Sequence, residues 1–99
     1  MPKAKTVIQT QEYIVKTPNV VGGSARLKDR RIPVWMITRD YYEFDVKPEE
    51  FLEMWEGVTL ADIFAALAYY HDNKEEIDAE IDEVRAIEQE AREAGLLVD

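Results

Sequence analysis

The residues able to do chemistry in this chain of 99 are few once they are sorted by type and spacing. His71 is the only histidine and there is no cysteine. Hydrolytic triads and thiolate metal sites therefore lack parts. His71 and its neighbour Asp72 supply two ligands, too few to hold a metal, and His71 reads as a residue near the negative pole of a helix end. Carboxylates abound, as in Glu49-Glu50, Glu75-Glu76 and the series Asp78, Glu80, Asp82 and Glu83. They have the look of solvated faces. Acid catalysis needs a buried carboxylate in a cleft, and nothing in the pattern implies one. Gly22-Gly23 lacks the further glycines and the lysine of a phosphate loop. The expectation is a protein that is not an enzyme and needs no cofactor.

Binding is the better prospect, and the charge pattern says where. From Met1 to Arg39 eight basic residues stand against Glu12 and Asp29, a balance of +6. From Asp40 to Asp99 four basic residues stand against nineteen acidic ones, a balance of −15 within an overall charge of −9. Halves of opposite sign suggest two surfaces with different partners. The plainer account of the acidic half is solubility. Arg26, Lys28, Arg30, Arg31 and Arg39 form the candidate nucleic-acid surface, able to meet phosphates from a strand and a helix start. Such contacts predict weak, salt-sensitive binding. A basic edge paired with the chain's own acidic helix explains the same residues equally well.

The elements that position these groups follow from periodicity. The length fits one domain. It divides into strands and a basic segment over 6–31, a helical unit over 32–72 and an acidic helix over 73–95. Met1–Lys5 reads as a frayed tail. Thr6–Lys16 is β-prone around Val7, Ile8, Tyr13, Ile14 and Val15, which predicts one or two short strands. Thr17-Pro18-Asn19 marks a turn and Gly22-Gly23 a second break. Ser24–Arg31 predicts a short strand and a turn at Lys28-Asp29-Arg30. Pro33 then opens the first helix, which runs to Glu43 with Val34, Ile37, Thr38 and Tyr41 on one face.

A second helix runs from Pro48 to about Trp55, burying Phe51, Leu52 and Trp55. A third follows the turn Glu56-Gly57-Val58. Thr59 and Asp62 make a capping-box pair, and Val58 and Ile63 are spaced as a hydrophobic staple. Ile63, Phe64, Leu67, Ala68 and Tyr70 or His71 follow its buried face. This pair of helices has helix-turn-helix form. Its second member would present Ala61, Asp62, Ala65, Ala66 and Tyr69 to a major groove. None of these belongs to the types that usually read base edges, so the helix pair reads as packing.

The last helix, Asn73 to about Ala94, starts with a possible Asn73–Glu76 box and stops at Gly95. Ile77, Ile81, Val84, Ile87 and Ala91 form a narrow apolar stripe. The stripe must dock on its own domain, a second copy or another protein. The helix outruns the three-helix unit, which favours an intermolecular role. No stretch approaches the roughly 20 apolar residues of a membrane span, and the N-terminus has no apolar signal core. The expectation is a cytoplasmic chain without a membrane partner.

Four ordered blocks carry a resemblance. They are Thr17-Pro18-Asn19-Val20-Val21-Gly22-Gly23; Arg31-Ile32-Pro33-Val34-Trp35; Lys47-Pro48-Glu49-Glu50-Phe51-Leu52; and Leu60 to Tyr70, ending Leu67-Ala68-Tyr69-Tyr70. Together, over Glu12 to Glu76, they resemble the prokaryotic domain-of-unknown-function family 433. Three positions depart from the family pattern. Asn19 stands for a usual Gly, Asp29-Arg30 for Gly-Thr, and Lys47 for a Ser N-cap, the last at a cost of about 1 kcal/mol.

The resemblance implies a homeodomain-like three-helix unit with short N-terminal strands, which with the long C-terminal helix read above makes a mainly α fold. It further implies an antitoxin of VapB type that neutralises a PIN-like ribonuclease toxin, with operator DNA as a second partner. On that view the unit over 32–72 is scaffold and homo-oligomer core. Ile77, Ile81, Val84 and Ile87 anchor the toxin, and Arg85 or Arg92 enters its acidic metal site. The alternatives are a stand-alone helix-turn-helix DNA-binding regulator and a self-associating structural domain.

Overall fold

Ile14 and Val15 pair with the segment just before the first helix, and this pairing fixes where the helices begin. In the computed structural model, which describes residues 12–97, β1 (Ile14–Val15) runs antiparallel to β2 (Arg26–Leu27), with Ile14 opposite Leu27 and Val15 opposite Arg26. The expected tail Met1–Lys5 and the β-prone run as far as Gln11 lie outside the described residues. A single bridge joins Arg26 to Pro33, and the Val34 amide donates to the Ala25 carbonyl at 2.8 Å. β2 is thus held on both sides, by β1 and by the start of the first helix. Between the strands the chain turns through Asn19 (φ +69°), Val21 (φ +41°), Gly22 and Gly23. Asn tolerates this region through local hydrogen bonding. Val21, being β-branched, is a genuine outlier there.

Four helices follow: α1 (Val34–Glu43), α2 (Pro48–Met54), α3 (Leu60–Asp72) and α4 (Lys74–Glu93). The fold is mainly α with a small N-terminal sheet. α2 and α3 start where the sequence predicts, for local reasons, and α1 starts one residue later, with Pro33 just outside it. Pro33 precedes α1 in extended conformation and Pro48 is the first residue of α2. The Lys47 side chain has no acceptor to cap with, but Glu50 reaches back to the Lys47 amide at 2.7 Å and makes the other half of the box. At α3 the full box forms: Thr59 Oγ1 accepts from the Asp62 amide at 3.2 Å, and Asp62 accepts from the Thr59 amide at 2.9 Å. α4 ends in a Schellman motif, with the Leu96 amide donating to Ala91 at 2.8 Å and Gly95 at φ +78°.

The start of α4 differs. Asn73 does not cap it; its Nδ2 turns back and donates to the Tyr69 carbonyl at 3.0 Å. Glu76, its expected partner, is engaged elsewhere, with Lys16 Nζ at 3.0 Å and the Tyr69 hydroxyl at 3.2 Å. The side chain thus closes α3 instead of opening α4.

Ala25, Leu27, Val34, Ile37, Phe51, Val58, Ile63, Ala66, Leu67, Ile77 and Ile81 form the core. α3 is its centre, touching α1, α2, α4 and both strands. Trp55 stacks on Phe51 with centroids 5.6 Å apart. The buried arc of α3 is Ile63, Ala66 and Leu67, so Phe64 (54% exposed) and Ala68 turn outward. The reason is angular. Successive helical residues are turned by about 100°, and once Ile63 and Ala66 face inward Phe64 cannot. A methyl at Ala66, not a larger side chain, lets α3 close against its neighbours. Among the described residues no helix is long and apolar enough to cross a membrane.

Candidate functional site

Two surfaces remain once the core is accounted for, and they divide the predicted site residues. The first is α4. Ile77 (0% exposed) and Ile81 (5%) are not available as anchors for a partner, because α4 lays its first three turns against α1 and α3 and seals the core with them. Val84 is half-buried and Ile87 is 60% exposed. The stripe therefore leaves the domain near Val84. Two ion pairs mark that point. Arg39 Nη1 of α1 reaches Glu88 at 3.5 Å, and Arg85 bonds to Glu43 at the end of α1. Arg85 also reaches Asp82 at 3.1 Å. These carboxylates, with the Glu43 hydrogen bond the largest cause, hold the Arg85 guanidinium more firmly protonated than usual. Arg92 lies exposed in the last turn.

Beneath these pairs a cleft of about 310 Å³ opens between α1 and α4, with Thr38 at its floor and Tyr42 and Tyr70 on its walls. The Tyr70 hydroxyl donates to Asp78 at 2.9 Å. Burial first, and that hydrogen bond second, push its pKa up. Tyr69 is raised likewise, by burial and then by Glu76. The Lys16 pKa rises, chiefly through its bond to Glu76. His71 is exposed, and its Nε2 lies 2.7 Å from the Tyr42 hydroxyl. Sequence patterning does not reveal this cleft, since its walls come from residues more than 25 positions apart.

The second surface is the turn between β2 and α1. It brings Arg26, Arg30 and Arg31 to one hollow, carries Lys28 on the same turn outside that hollow, and leaves out Arg39. Arg39 lies on α1 with its side chain 17% exposed, stacked at 5.2 Å over both Trp35 and Phe44 and paired with Asp40 at 3.2 Å. Its charge and its faces are used within the chain, so it is a packing residue and not part of the basic face. Arg26 is pinned: Nη2 donates to Thr17 Oγ1 at 2.9 Å and Nη1 to the Arg30 carbonyl at 3.0 Å. Arg30 Nη2 donates to the Glu56 carbonyl in the α2–α3 turn at 2.5 Å. Lys28 and Arg31 are exposed and make no ion pair among the described residues. Among the described residues the basic edge thus makes no ion pair with α4, whose carboxylates meet Lys16, Arg39 and Arg85.

On α3 the helix-turn-helix face also differs from expectation. Ala66 is buried and Asp62, Ala65 and Tyr69 are half-buried, while Leu60, Ala61, Phe64, Ala68 and His71 are exposed. The exposed face remains without Arg, Lys, Asn or Gln, so it still lacks the side chains that usually read base edges.

Comparison with known proteins locates this architecture. The family model described as "Protein of unknown function (DUF433)" matches residues 14–70. A crystal structure of a DUF433 member protein from Anabaena variabilis is similar at 42% identity and a TM-score of 0.67, over 72% of this chain and 69% of that one. No curated protein matches.

Proposed function

Starting from the fact that this chain belongs to the DUF433 family, we propose that it is a non-enzymatic, antitoxin-like protein of the cytoplasm. Its C-terminal helix binds and neutralises a PIN-like ribonuclease. The observation that carries this reading is the division of α4. The helix is 20 residues long, about 30 Å at 1.5 Å per residue. Its own domain fully buries the stripe only as far as Ile81, and Val84 is half-buried. The rest continues outward with Val84, Ile87 and Ala91 on an acidic helix carrying Arg85 and Arg92. An amphipathic helix that lays such a stripe in a groove is a standard mode of partner capture. The arginines give the helix a means of competing with a metal for the carboxylates of a nuclease site.

Arg85 must leave Glu43 and Asp82 to do so, which is feasible because exposed ion pairs are weak and screened by salt. The test is co-purification of the tagged chain from its native cells with mass spectrometry of what accompanies it. A stoichiometric small nuclease is expected, with inhibition weakened by Arg85→Ala together with Arg92→Ala. Recovery of the chain by itself, or inhibition unchanged in the double variant, counts against the reading.

A further inference from the structure

We infer that the turn between β2 and α1 is a docking surface for the phosphate backbone of duplex DNA. The inference does not depend on toxin binding, since α4 contributes nothing to this surface. Its basis is a set of cations of two kinds. Arg26 and Arg30 are fixed. Arg26 is tied to Thr17 and to the Arg30 carbonyl, and its Nε is buried with no hydrogen-bond partner. Arg30 is tied to the Glu56 carbonyl. Lys28 and Arg31 are exposed, and neither is spent on an ion pair among the described residues. Arg26, Arg30 and Arg31 line a hollow of about 270 Å³, with Asp29 as the one carboxylate on its wall.

The backbone carrying them is itself tied. The Leu27 amide donates to Ile32 at 3.0 Å and the Arg30 amide to Leu27 at 3.1 Å. Cations held this way lose little freedom on binding. Guanidinium groups present a planar fork that suits phosphate oxygens.

The place of the turn selects a duplex over other polyanions. Arg30 lies against the α2–α3 turn, at the N-terminal end of α3. In helix-turn-helix docking that end approaches the duplex while flanking elements meet the backbone. The Asp62 carboxylate accepts from the Thr59 amide and hydroxyl, which fix its place at the helix start without cancelling its charge. The exposed Leu60, Ala61 and Phe64 allow close approach and bring no charge of their own. Such a surface positions the protein on DNA without reading its sequence.

The experiment is fluorescence anisotropy of a labelled short duplex titrated with the full chain over a range of salt. Lys28, Arg30 and Arg31 at about 0.9 per phosphate predict a slope of log affinity against log salt near −2.7. Lys28→Ala and Arg31→Ala each flatten the slope by about 1. Both are exposed without an ion pair, so their melting curves stay superimposable on that of the parent chain. No binding at low salt overturns the inference, and so does a slope unchanged in both variants. Equal competition by polyglutamate and by unlabelled duplex at matched charge also overturns it, making an acidic polypeptide the partner. Loss of binding in these variants with nuclease co-purification intact separates this surface from the role of α4.

Discussion

The guanidinium of Arg30 occupies the space that a β-carbon on Gly57 would need. Gly57 sits at φ +85° in the α2–α3 turn, and Arg30 crosses over it to reach the Glu56 carbonyl. One glycine thus serves both the helix-turn-helix bend and the attachment of the basic turn. Gly57→Ala carries two costs. The left-handed backbone penalises a β-carbon by about 1–2 kcal/mol. Arg30, the mobile end of a flexible side chain, swings away and loses a hydrogen bond of about 1 kcal/mol. In an Arg30→Ala background only the backbone cost remains. Urea unfolding of the double-mutant cycle should therefore show Gly57→Ala costing about 1 kcal/mol less when Arg30 is absent.

The division of α4 predicts opposite consequences for two isoleucines three turns apart. Ile77 is fully buried, and Ile77→Ala should destabilise by about 2–5 kcal/mol. Ile87 is 60% exposed, and Ile87→Ala should stay within about 0.5 kcal/mol of the parent. Partner capture should rank them the other way at temperatures where both are folded. Denaturant melts alongside pull-downs check both halves. A costly Ile87→Ala would mean that the whole stripe docks on its own domain.

The element boundaries were legible because each rests on local chemistry. Pro33 and Pro48, the Thr59–Asp62 box and Gly95 act within a few residues of themselves, and α1, α2 and α3 begin, and α4 ends, where these signals stand. Asn73 misleads because its side chain had two local options. The deciding competitor, Lys16 on Glu76, comes from the far end of the chain. The face of α3 is ambiguous for a similar reason. An Ala-rich helix offers several arcs of comparable apolarity, and contact with α1 and α2 selects Ala66 over Phe64. In the site, composition marks Arg26 to Arg31 as a cluster, and Arg26, Arg30 and Arg31 line one hollow. Arg39 has the same charge, but Trp35 and Phe44 on either side of it turn it into a packing residue.

Arg39 of α1 pairs with Glu88 of α4 and Arg85 of α4 pairs with Glu43 of α1, yet the two should differ in worth. The Arg39 side chain is 17% exposed and covers two aromatic rings, so Arg39→Ala loses packing as well as charge. A loss of about 1–2 kcal/mol is expected, part of it retained at high salt. The Arg85 side chain is half exposed, and Glu43→Gln, which removes its partner's charge, should cost less than Arg39→Ala and lose its effect as salt rises. Chemical denaturation of the two variants at low and high salt distinguishes them. Arg39→Ala should leave the salt slope of DNA binding unchanged, because its charge faces α4 and not the basic turn.

Tyr69, Tyr70 and Lys16 together predict how stability falls in alkali. All three have pKa values raised in the fold, the tyrosines above an ordinary 10.0 and the lysine above 10.5. A raised folded pKa means that near and above the unfolded value the native state holds more protons than the unfolded chain. Stability from these groups is therefore whole below pH 10 and declines as pH rises through their folded values. Burial of the phenols is the main cause for the tyrosines, with Glu76 and Asp78 adding the charge that resists ionisation. Tyr69→Phe and Tyr70→Phe remove the titrating group while keeping most of the ring packing. Each variant should lose some stability at neutral pH, about 1 kcal/mol for the hydrogen bond to its carboxylate. Each should then fall less steeply than the parent above pH 10. Thermal melts across the alkaline range read this as converging curves. Parallel curves would mean that the phenols ionise in the fold as readily as in the unfolded chain.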